Sequence, residues 1–488
     1  MTAIDEIRLT FSKETSDEVK SDLGQYMTPS STANFLASLL NPLKFDHCNL
    51  LDPGAGIGTL SIAFLNRLAH THAASKKIKA TVCEIDPRMR KGLVSTLPKF
   101  VEAGADIQIE GDDFIETAVN WLQFFPKRRF THVIMNPPYK KISSSSIHRS
   151  LLRQVGIETG NLYSAFVALA LKLLVPGGEL VAIIPRSFCN GPYYKPFRKI
   201  ILSHGAIRHI HLFDSRNKAF KDDSVLQENI VIKLERDADQ ESVLISSSTD
   251  DTFDDYRERN LEFSEIVADS DSEYFIHIPT SSEQDRITSI KEICHTLNNI
   301  GVTVSTGPVV DFRLKEYLSM SPVPGTVPLL YPLHLGIDQN CWPKDNSKKP
   351  NALVLNASTQ KWLYPSGYYC VVKRFSSKEE KRRITASVVS PDLLGSASVV
   401  GFENHLNVFH SNKAGIPKLL AYGLAAFLNA SMVDQYFRRF NGHTQVNATD
   451  LRQMRYPSRE FLTELGKWAS QQKSFSQEET DSQVGALK

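Results

Sequence analysis

The sequence has few cysteines, no long apolar run and almost no net charge. Its cysteines are Cys48, Cys83, Cys189, Cys294, Cys341 and Cys370. They form no CxxC pair and no Cys/His cluster at zinc-ligand spacing, so we expect reduced, mostly buried thiols and no metal site. No apolar segment approaches the roughly 20 residues of a membrane-spanning helix, and the first thirty residues lack the apolar core of a signal peptide. We therefore expect a cytoplasmic protein.

The net charge of +2 is unevenly distributed along the chain. Residues 241–280 hold eleven Asp or Glu against two Lys or Arg, whereas residues 281–470 hold 22 basic against 15 acidic residues. The excess of basic residues in the second half favours a polyanionic partner. A solvated charged surface would give the same imbalance, so charge alone does not decide between the two.

The order of apolar runs predicts two folded parts. Between residues 48 and 235, short apolar runs alternate with amphipathic segments, the pattern of a Rossmann-like, doubly wound mixed sheet with seven or so strands. We predict a first domain over residues 1–240 and an acidic, serine-rich linker over 241–284, a surface connection with room for one strand. A second, α+β domain should follow over 285–465, and a disordered tail over 466–488.

A glycine-rich turn follows the first predicted strand, in "LDPGAGIGTL". Asp52, Gly54, Gly56 and Gly58 lie between a strand and a helix, where glycines let the backbone approach a ligand closely. The spacing is not the dinucleotide fingerprint GxGxxG, which disfavours a nicotinamide cofactor. Taken alone, the turn would be explained equally well as a tight connection without a ligand.

Acidic residues end the next two predicted strands. Glu84 in "VCEIDP" is placed to accept the hydroxyl hydrogens of a ribose. Asp113, beside Phe114 in "GDDFIE", suits an adenine, with Asp112 as the alternative acid. Open α/β sheets bind ligands at the carboxyl ends of their strands. The pattern indicates a ligand with a ribose and an adenine, and no basic cradle for a phosphate is present.

Five motifs, taken in order, resemble those of N6-adenine DNA methyltransferases of the gamma class, as in the TaqI-type enzymes. They are "GQYMTP" at 24–29, "DPGAGIG" at 52–58, "CEIDP" at 83–87, "GDDF" at 111–114 and "NPPY" at 136–139. The later segments "VLQENIVI", "VVKRFSSKEEKRRI" and "NGHTQVNATDLRQMRYP" are similar to PstI/BsuBI-type members of restriction-modification systems. The resemblance covers most of residues 20–460.

The resemblance implies S-adenosylmethionine as cofactor and assigns the residues that bind it. These are Tyr26, Thr28, Asp52, Gly54, Gly56, Glu84, Ile85, Asp113 and Phe114. Asp52 stands where some relatives carry glutamate, a change that should preserve the role. The segment around Tyr26 would close over the methionine part of the cofactor, and Thr28 with Pro29 also suits the start of a helix.

The strand "THVIM" stops at Asn136, because the prolines that follow have no N–H for a sheet. Adenine N6 is a poor nucleophile, and a catalyst helps by accepting both of its hydrogens. Asn136 offers a side-chain oxygen and Pro137 a backbone carbonyl, which Pro138 helps to fix in direction. Tyr139 can stack on a flipped base. The family places a second aromatic opposite, here Phe220, although Phe220 could equally pack within its loop. This chemistry needs no metal.

The second domain is expected to select the DNA sequence. The candidates for phosphate contacts are Lys373, Arg374, Lys381, Arg382 and Arg383. The candidates for reading base edges are Asn441, His443, Gln445 and Asn447. The basic cluster could instead be a solvated surface paired with Glu379 and Glu380.

Double-stranded DNA is the expected substrate, and a cognate restriction endonuclease could act on the same site without contacting this chain. We expect a monomer in a bacterial or archaeal cell, and no nuclease activity, because no PD…ExK pattern is present. The alternatives are methylation of RNA adenine or of a protein glutamine amide, and a catalytically silent DNA-binding subunit. About 250 residues after the sheet favour DNA over the glutamine-modifying enzymes, which typically carry little there.

Overall fold

The computed structural model describes most of the chain. The described residues are 3–14, 27–71, 77–213, 228–268, 271–278, 293–336, 339–376, 380–441, 445–472 and 476–486. The chain divides into two compact units, Met1–Thr280 and Ser281–Lys488. Three residues with predicted roles, Tyr26, Phe220 and His443, lie outside the described residues. Among the residues described, no helix is long and apolar enough to cross a membrane.

The described part of the first unit is built on a nine-stranded sheet with helices on both faces. Its strands are β1 His47–Pro53, β2 Lys77–Cys83, β3 Asp106–Glu110, β4 Phe130–Met135, β5 Leu174–Pro185, β6 Gly205–Phe213, β7 Asn229–Arg236, β8 Val243–Ser248 and β9 Arg257–Leu261. Its helices are α1 Ala3–Glu14, α2 Ser30–Leu39, α3 Thr59–Ala69, α4 Pro87–Thr96, α5 Pro98–Glu102, α6 Phe114–Phe124, α7 Ile147–Gln154, α8 Leu162–Leu173, α9 Lys195–His204 and α10 Phe263–Ile266. Short 3-10 helices lie at Arg186–Cys189 and Pro192–Tyr194.

The strand order is β3-β2-β1-β4-β5-β7-β6-β8-β9. Strands β1 to β5 are parallel, and β7 runs antiparallel to both β5 and β6. Every residue of β4 is buried, as expected for a central strand covered on both faces. The predicted doubly wound mixed sheet is confirmed, and the carboxyl ends of its parallel strands share one edge.

The predicted linker over 241–284 is wrong for the residues that form β8 and β9. Strand β8 pairs with β6, and β9 pairs with β8. Val243 and Ile245 are buried, and Ser246 makes hydrogen bonds to two buried histidines of β6. The alternation of apolar and small polar residues in "VLISSS" was hidden by the acidic composition around it, because serine satisfied by a neighbouring strand can be buried.

The described part of the second unit contains a four-stranded sheet, β10-β18-β15-β16, and a five-stranded sheet, β11-β13-β12-β17-β14. The strands are β10 Thr303–Thr306, β11 Leu318–Ser319, β12 Thr326–Leu330, β13 Ala352–Val354, β14 Leu363–Pro365, β15 Tyr369–Lys373, β16 Ala386–Val389, β17 Val399–Phe402 and β18 Leu406–His410. The helices are α11 Pro391–Leu394, α12 Lys418–Leu428, α13 Ser431–Phe440, α14 Ala448–Gln453, α15 Arg459–Ala469 and α16 Gln477–Gly485. Short 3-10 helices lie at Asp311–Arg313, Lys315–Tyr317, Pro332–His334 and Gln360–Trp362. The unit is therefore α+β, as predicted.

The predicted disordered tail is wrong for residues 477–485, which form α16. Ser476 and Glu479 make a capping box at its start. Val484 is fully buried, and the Asp481 carboxylate accepts a hydrogen bond from the Ser431 N–H at 2.7 Å. A good cap and one buried apolar side chain are enough to dock a polar segment whose composition shows no apolar periodicity.

Gly423 of α12 and Gly466 of α15 allow the two helices to pack in backbone contact. A Cβ atom on Gly423 would lie 1.7 Å from the Leu462 carbonyl oxygen. We predict that Gly423→Ala forces the helices apart and lowers the free energy of unfolding by about 3 kcal/mol or more, measured by urea denaturation. Gly485→Ala, where no atom lies within 4 Å of the added carbon, is the control and should leave stability unchanged or slightly higher. Equal losses in both variants would contradict the close packing.

Candidate active site

A cavity of about 400 Å³ opens at the carboxyl ends of β1 to β4. We call it the sheet-edge cavity. The sequence-predicted residues that line it are Thr28, Gly54, Gly56, Glu84, Ile85, Asp113, Phe114, Asn136 and Pro138. The structure thus brings together residues that are more than one hundred positions apart in the chain, as expected where parallel strands end at one edge.

The glycine turn after β1 is tied to the end of β2. The N–H groups of Gly54 and Ala55 both donate to the Cys83 carbonyl, at 2.8 and 2.9 Å. Gly54 and Gly56 have φ values of 76° and 58°, in the left-handed region that glycine adopts without strain. A Cβ atom on Gly54 would lie 3.7 Å from the Phe166 ring. The turn therefore keeps the cavity floor open and its backbone close to any ligand.

Glu84 forms part of the cavity wall and is held rigidly. Its Oε2 accepts from the Gly56 N–H at 2.7 Å, and its Oε1 accepts from the Asp86 N–H at 2.8 Å. Burial raises the pKa of Glu84, and the two backbone hydrogen bonds act against that rise. Each carboxylate oxygen keeps a further lone pair, so the group can accept hydroxyl hydrogens from a ligand.

Asp52 lies behind the turn, is fully buried and does not line the cavity. Its Oδ2 accepts from the Ser61 hydroxyl at 2.6 Å, while its Oδ1 has no hydrogen-bond partner within the described chain. Burial raises the pKa of Asp52 to about 7. A buried carboxylate with an unused oxygen is costly when charged, which is why its proton is held more tightly in the folded protein.

Asp113 caps α6 with one of its oxygens. Oδ1 accepts from the N–H groups of Ile115 and Glu116, and Oδ2 lies 3.3 Å from His148 Nε2. The neighbouring Phe114 ring is buried, with its centroid 4.8 Å from that of Phe166. Asp112 also lines the cavity and is exposed. Both acids therefore remain candidates for contact with an exocyclic amine.

The side-chain amide of Asn136 lies between two hydroxyl groups. Its Nδ2 donates to Thr28 Oγ1 at 3.1 Å, and its Oδ1 accepts from the Tyr139 hydroxyl at 2.9 Å. The same hydroxyl is 3.1 Å from the Ile183 carbonyl on β5. Thr28 thus contacts the NPPY motif directly, and Tyr139 holds the Asn136 amide, while its stacking on a base stays a prediction. Pro137 is buried and lies outside the cavity lining.

Several residues of the site were missed from the sequence. They are Ser61, Met89, Lys140, Lys141, His148 and Phe166. Phe166 belongs to α8, whose apolar pattern is that of a core helix, and nothing in that pattern distinguishes the ring that reaches the cavity. In the described ranges, no group of three or more His, Cys, Asp or Glu side chains could hold a metal ion.

The predicted phosphate contacts fall into two groups. Lys381 is exposed and Lys373 half-buried. The prediction for Arg383 is wrong, because its side chain is 1% exposed and its guanidinium donates to Asn441 Oδ1 at 2.8 Å and to the Ser376 hydroxyl. Arg382 is half-buried and donates to a main-chain carbonyl of α12's C-terminus. A buried guanidinium whose donors are used inside the fold cannot neutralise a phosphate.

Two of the predicted base-reading residues are also structural. Asn441 is buried, and its Nδ2 donates to Asp450 Oδ2 at 3.0 Å. Asn447 caps α14 through a capping box with Asp450. In this structure the side-chain amides of Asn441 and Asn447 fix the loop before α14. This contradicts the prediction that these two residues read bases. Gln445 is half-buried and accepts from Arg374 at 3.2 Å.

The fold and the site define a class I methyltransferase, of the kind that depends on S-adenosylmethionine. The chain is 51% identical over 497 residues to the type II methyltransferase M.BsuBI of Bacillus subtilis, spanning 100% of this chain and 98% of that protein. It is 42% identical over 474 residues to M.PstI of Providencia stuartii, spanning 95% and 92%. The Eco57I restriction-modification methylase family matches residues 62–220. The chain therefore belongs to the type II DNA methyltransferases of restriction-modification systems.

Solved structures support the fold at low sequence identity. The type IIL restriction-modification enzyme MmeI, in complex with DNA, matches with a TM-score of 0.51 at 11% identity, over 94% of this chain and 72% of that one. The DrdV–DNA complex gives a TM-score of 0.51 at 14% identity, over 94% and 58%.

The buried acid behind the glycine turn makes a prediction about pH. Because burial raises the pKa of Asp52 from its ordinary value of 3.8 to about 7, its contribution to stability is lost as pH rises from about 4 to 7. Asp52→Asn should match the wild type near pH 4 and exceed its unfolding free energy at pH 8 by about 2 to 4 kcal/mol, without cofactor. A difference that stays constant between these pH values would contradict the raised pKa.

Proposed function

We propose that this enzyme flips an adenine out of duplex DNA and transfers a methyl group from S-adenosylmethionine to its N6 atom. The observation that carries the proposal is the position of Asn136, which ends the central strand β4 at the edge of the sheet-edge cavity. Its amide is held by Thr28 and Tyr139. A fixed acceptor beside a cofactor-sized cavity is the arrangement that an amine acceptor of methyl groups requires.

The lone pair of N6 is delocalised into the adenine ring, which makes the amine a weak nucleophile. Asn136 Oδ1 is the acceptor that we assign to one N6 hydrogen, because an amide oxygen can accept from more than one donor. The Pro137 carbonyl accepts the other hydrogen. These two bonds strengthen as the nitrogen becomes tetrahedral and its charge develops, so they stabilise the transition state more than the ground state.

The residues of the sheet-edge cavity fit the cofactor. Glu84 would accept the ribose hydroxyls, Asp113 or Asp112 the adenine amine, and Ile85 and Phe114 would contact the adenine ring. Asp52, buried behind the glycine turn, would support the cofactor site through its hydrogen bond with Ser61 rather than by direct contact. S-Adenosylmethionine supplies a methyl group already activated on a sulfonium, so the chain's own task is alignment.

Flipping costs a few kcal/mol, because N6 takes part in Watson-Crick pairing. Tyr139 and Phe220 would recover part of that free energy by stacking on the two faces of the extruded base. In the second unit, the remaining candidates for contact with DNA are Lys373, Arg374, Lys381, His443 and Gln445.

The chain would act as a monomer in the cytoplasm of its cell. A cognate restriction endonuclease would recognise the same word independently, so no contact between the two proteins is required. The first unit would carry the chemistry and the second unit the choice of sequence.

The roles proposed for Asn136 and Glu84 predict that one variant changes kcat and the other changes the cofactor dissociation constant. Asn136→Ala should lower kcat by about 10²- to 10³-fold through loss of one fixed acceptor, while the cofactor dissociation constant stays near the wild-type value. Glu84→Gln is the matched control and should raise that constant by about tenfold to a hundredfold. Both are measured by equilibrium binding and single-turnover methylation. Normal chemistry at saturation in Asn136→Ala would remove its assigned role.

Variants of the exposed or half-buried lysines and of the buried Arg383 should differ in whether they affect DNA binding or protein stability. Lys373→Gln with Lys381→Gln should weaken DNA binding and reduce the slope of log K against log salt by about 2, with an unchanged melting temperature. Arg383→Gln should lower the melting temperature, because it leaves Asn441 and its neighbours without their buried donor. If the slope of log K against log salt is unchanged in the lysine variant, Lys373 and Lys381 do not contact the DNA phosphates.

A further inference from the structure

Asn229, the first residue of β7, carries a buried amide that has no hydrogen-bond partner. The residue is 5% exposed, and neither Oδ1 nor Nδ2 is bonded to any group in the described parts of the chain. Leaving such a group unsatisfied lowers the stability of the fold, and an apolar side chain of the same shape would avoid that cost. A buried amide without a partner therefore points to a partner that arrives from outside.

The register of the sheet puts Asn229 at the same edge as the catalytic asparagine. Strand β7 is antiparallel to β5, so its first residue lies at the carboxyl end of β5, opposite Pro185. On the other side of β5, Met135 pairs with Ala182, and Asn136 follows it. The two asparagines thus flank the end of β5, with Asn229 about two residues further out.

Both asparagines also belong to the same face of the sheet. Val231, Ile183 and Ile134 pack in one core cluster, while Ile230 and Ile184 pack in the other. Side chains alternate along a strand, so Asn229 shares the face of Val231, and Asn136 shares that of Ile134. The hydrogen bond from Asn136 to Thr28 agrees with this assignment of the face. Thr28 lies just before α2, and α2 packs in the same core cluster.

The separation suits a purine. Two strand spacings give about 10 Å across the sheet, and two residues give about 7 Å along it. Each asparagine side chain spans part of that distance, which leaves a gap on the scale of one base. The cofactor cavity lies over β1 to β4, so Asn229 is on the far side of Asn136 from the cofactor, where the methyl acceptor must be.

We propose that Asn229 is a substrate-binding residue whose Nδ2 donates a hydrogen bond to a ring nitrogen of the extruded adenine; this rests on the proposed adenine chemistry. Asn136 and Pro137 use the two N6 hydrogens, so the acceptors left on the base are its ring nitrogens. Binding then satisfies an amide that the fold leaves unpaired, which favours adenine over a base that presents a donor there.

The test uses short duplexes that contain the recognised word, first identified by mapping methylation on plasmid DNA. The target adenine is replaced in turn by 1-deaza-, 3-deaza- or 7-deazaadenine, each of which lacks one ring acceptor. We expect the wild type to lose about tenfold in kcat/KM with one analogue, as for one buried hydrogen bond. Asn229→Leu should lose about as much on normal adenine and show no further loss with that analogue.

Thermal stability separates binding from a structural role. Asn229→Leu should raise the melting temperature, because it removes an unsatisfied buried amide; a structural asparagine would make the variant less stable. Val231→Ala, on the same strand and face, is the control and should lower the melting temperature while keeping the wild-type discrimination between analogues. Asn229→Ala serves as a second variant if leucine does not fit.

Two failures are distinguishable. If the wild type places no methyl group on N6 of the unmodified duplex, the proposed function fails. If the wild type methylates N6 and the Asn229 variants discriminate among the three analogues as it does, the inference about Asn229 alone is overturned.

Discussion

The hydrogen bonds between the glycine turn and the end of β2 determine the rest of the site. The N–H groups of Gly54 and Ala55 donate to one carbonyl of β2. Glu84, the residue directly after β2, accepts a hydrogen bond from the Gly56 N–H. The Glu84 N–H in turn donates to the Glu110 carbonyl at the end of β3. The ends of three strands are thereby locked together, so the cavity wall is preformed and a ligand need not order it.

The end of the cavity at Asn136 is also preformed, here by hydrogen bonds between side chains. The nitrogen of the Asn136 amide donates to Thr28, which lies just before α2, and its oxygen accepts from the Tyr139 hydroxyl. Holding an acceptor in place before the substrate arrives avoids reorganisation during the reaction, and this is where electrostatic catalysis gains most. The amide of Asn229 and Oδ1 of Asp52 are the opposite case, because neither has a hydrogen-bond partner among the described residues.

The sequence predicted the sheet and most of the cavity because each strand end there is marked locally. Glycines follow β1, Glu84 follows β2, Asp113 follows β3, and Asn136 with its prolines follows β4. Such marks are properties of a few adjacent residues. The order of the strands then brings them together.

What the sequence could not show depends on contacts made far along the chain. The pairing of β8 with β6, and strand β9 as a whole, were missed because the acidic composition of the segment gave no sign of them. Arg383 was taken for a phosphate contact because a basic run does not reveal which guanidinium is buried, and its partner Asn441 lies 58 positions away. Phe166 and Ser61 reach the site only through helix packing. In each case the deciding partner is set by the tertiary fold, which no local pattern encodes.

The most direct test of the account is the identity of the nucleoside that receives the methyl group. The purified chain is incubated with S-adenosylmethionine labelled in the methyl group and with plasmid DNA, and the product is digested to nucleosides and separated. The account predicts label in N6-methyldeoxyadenosine, at one short repeated word. Label in a methylated cytosine, or label confined to RNA or to protein with none in DNA, would contradict it.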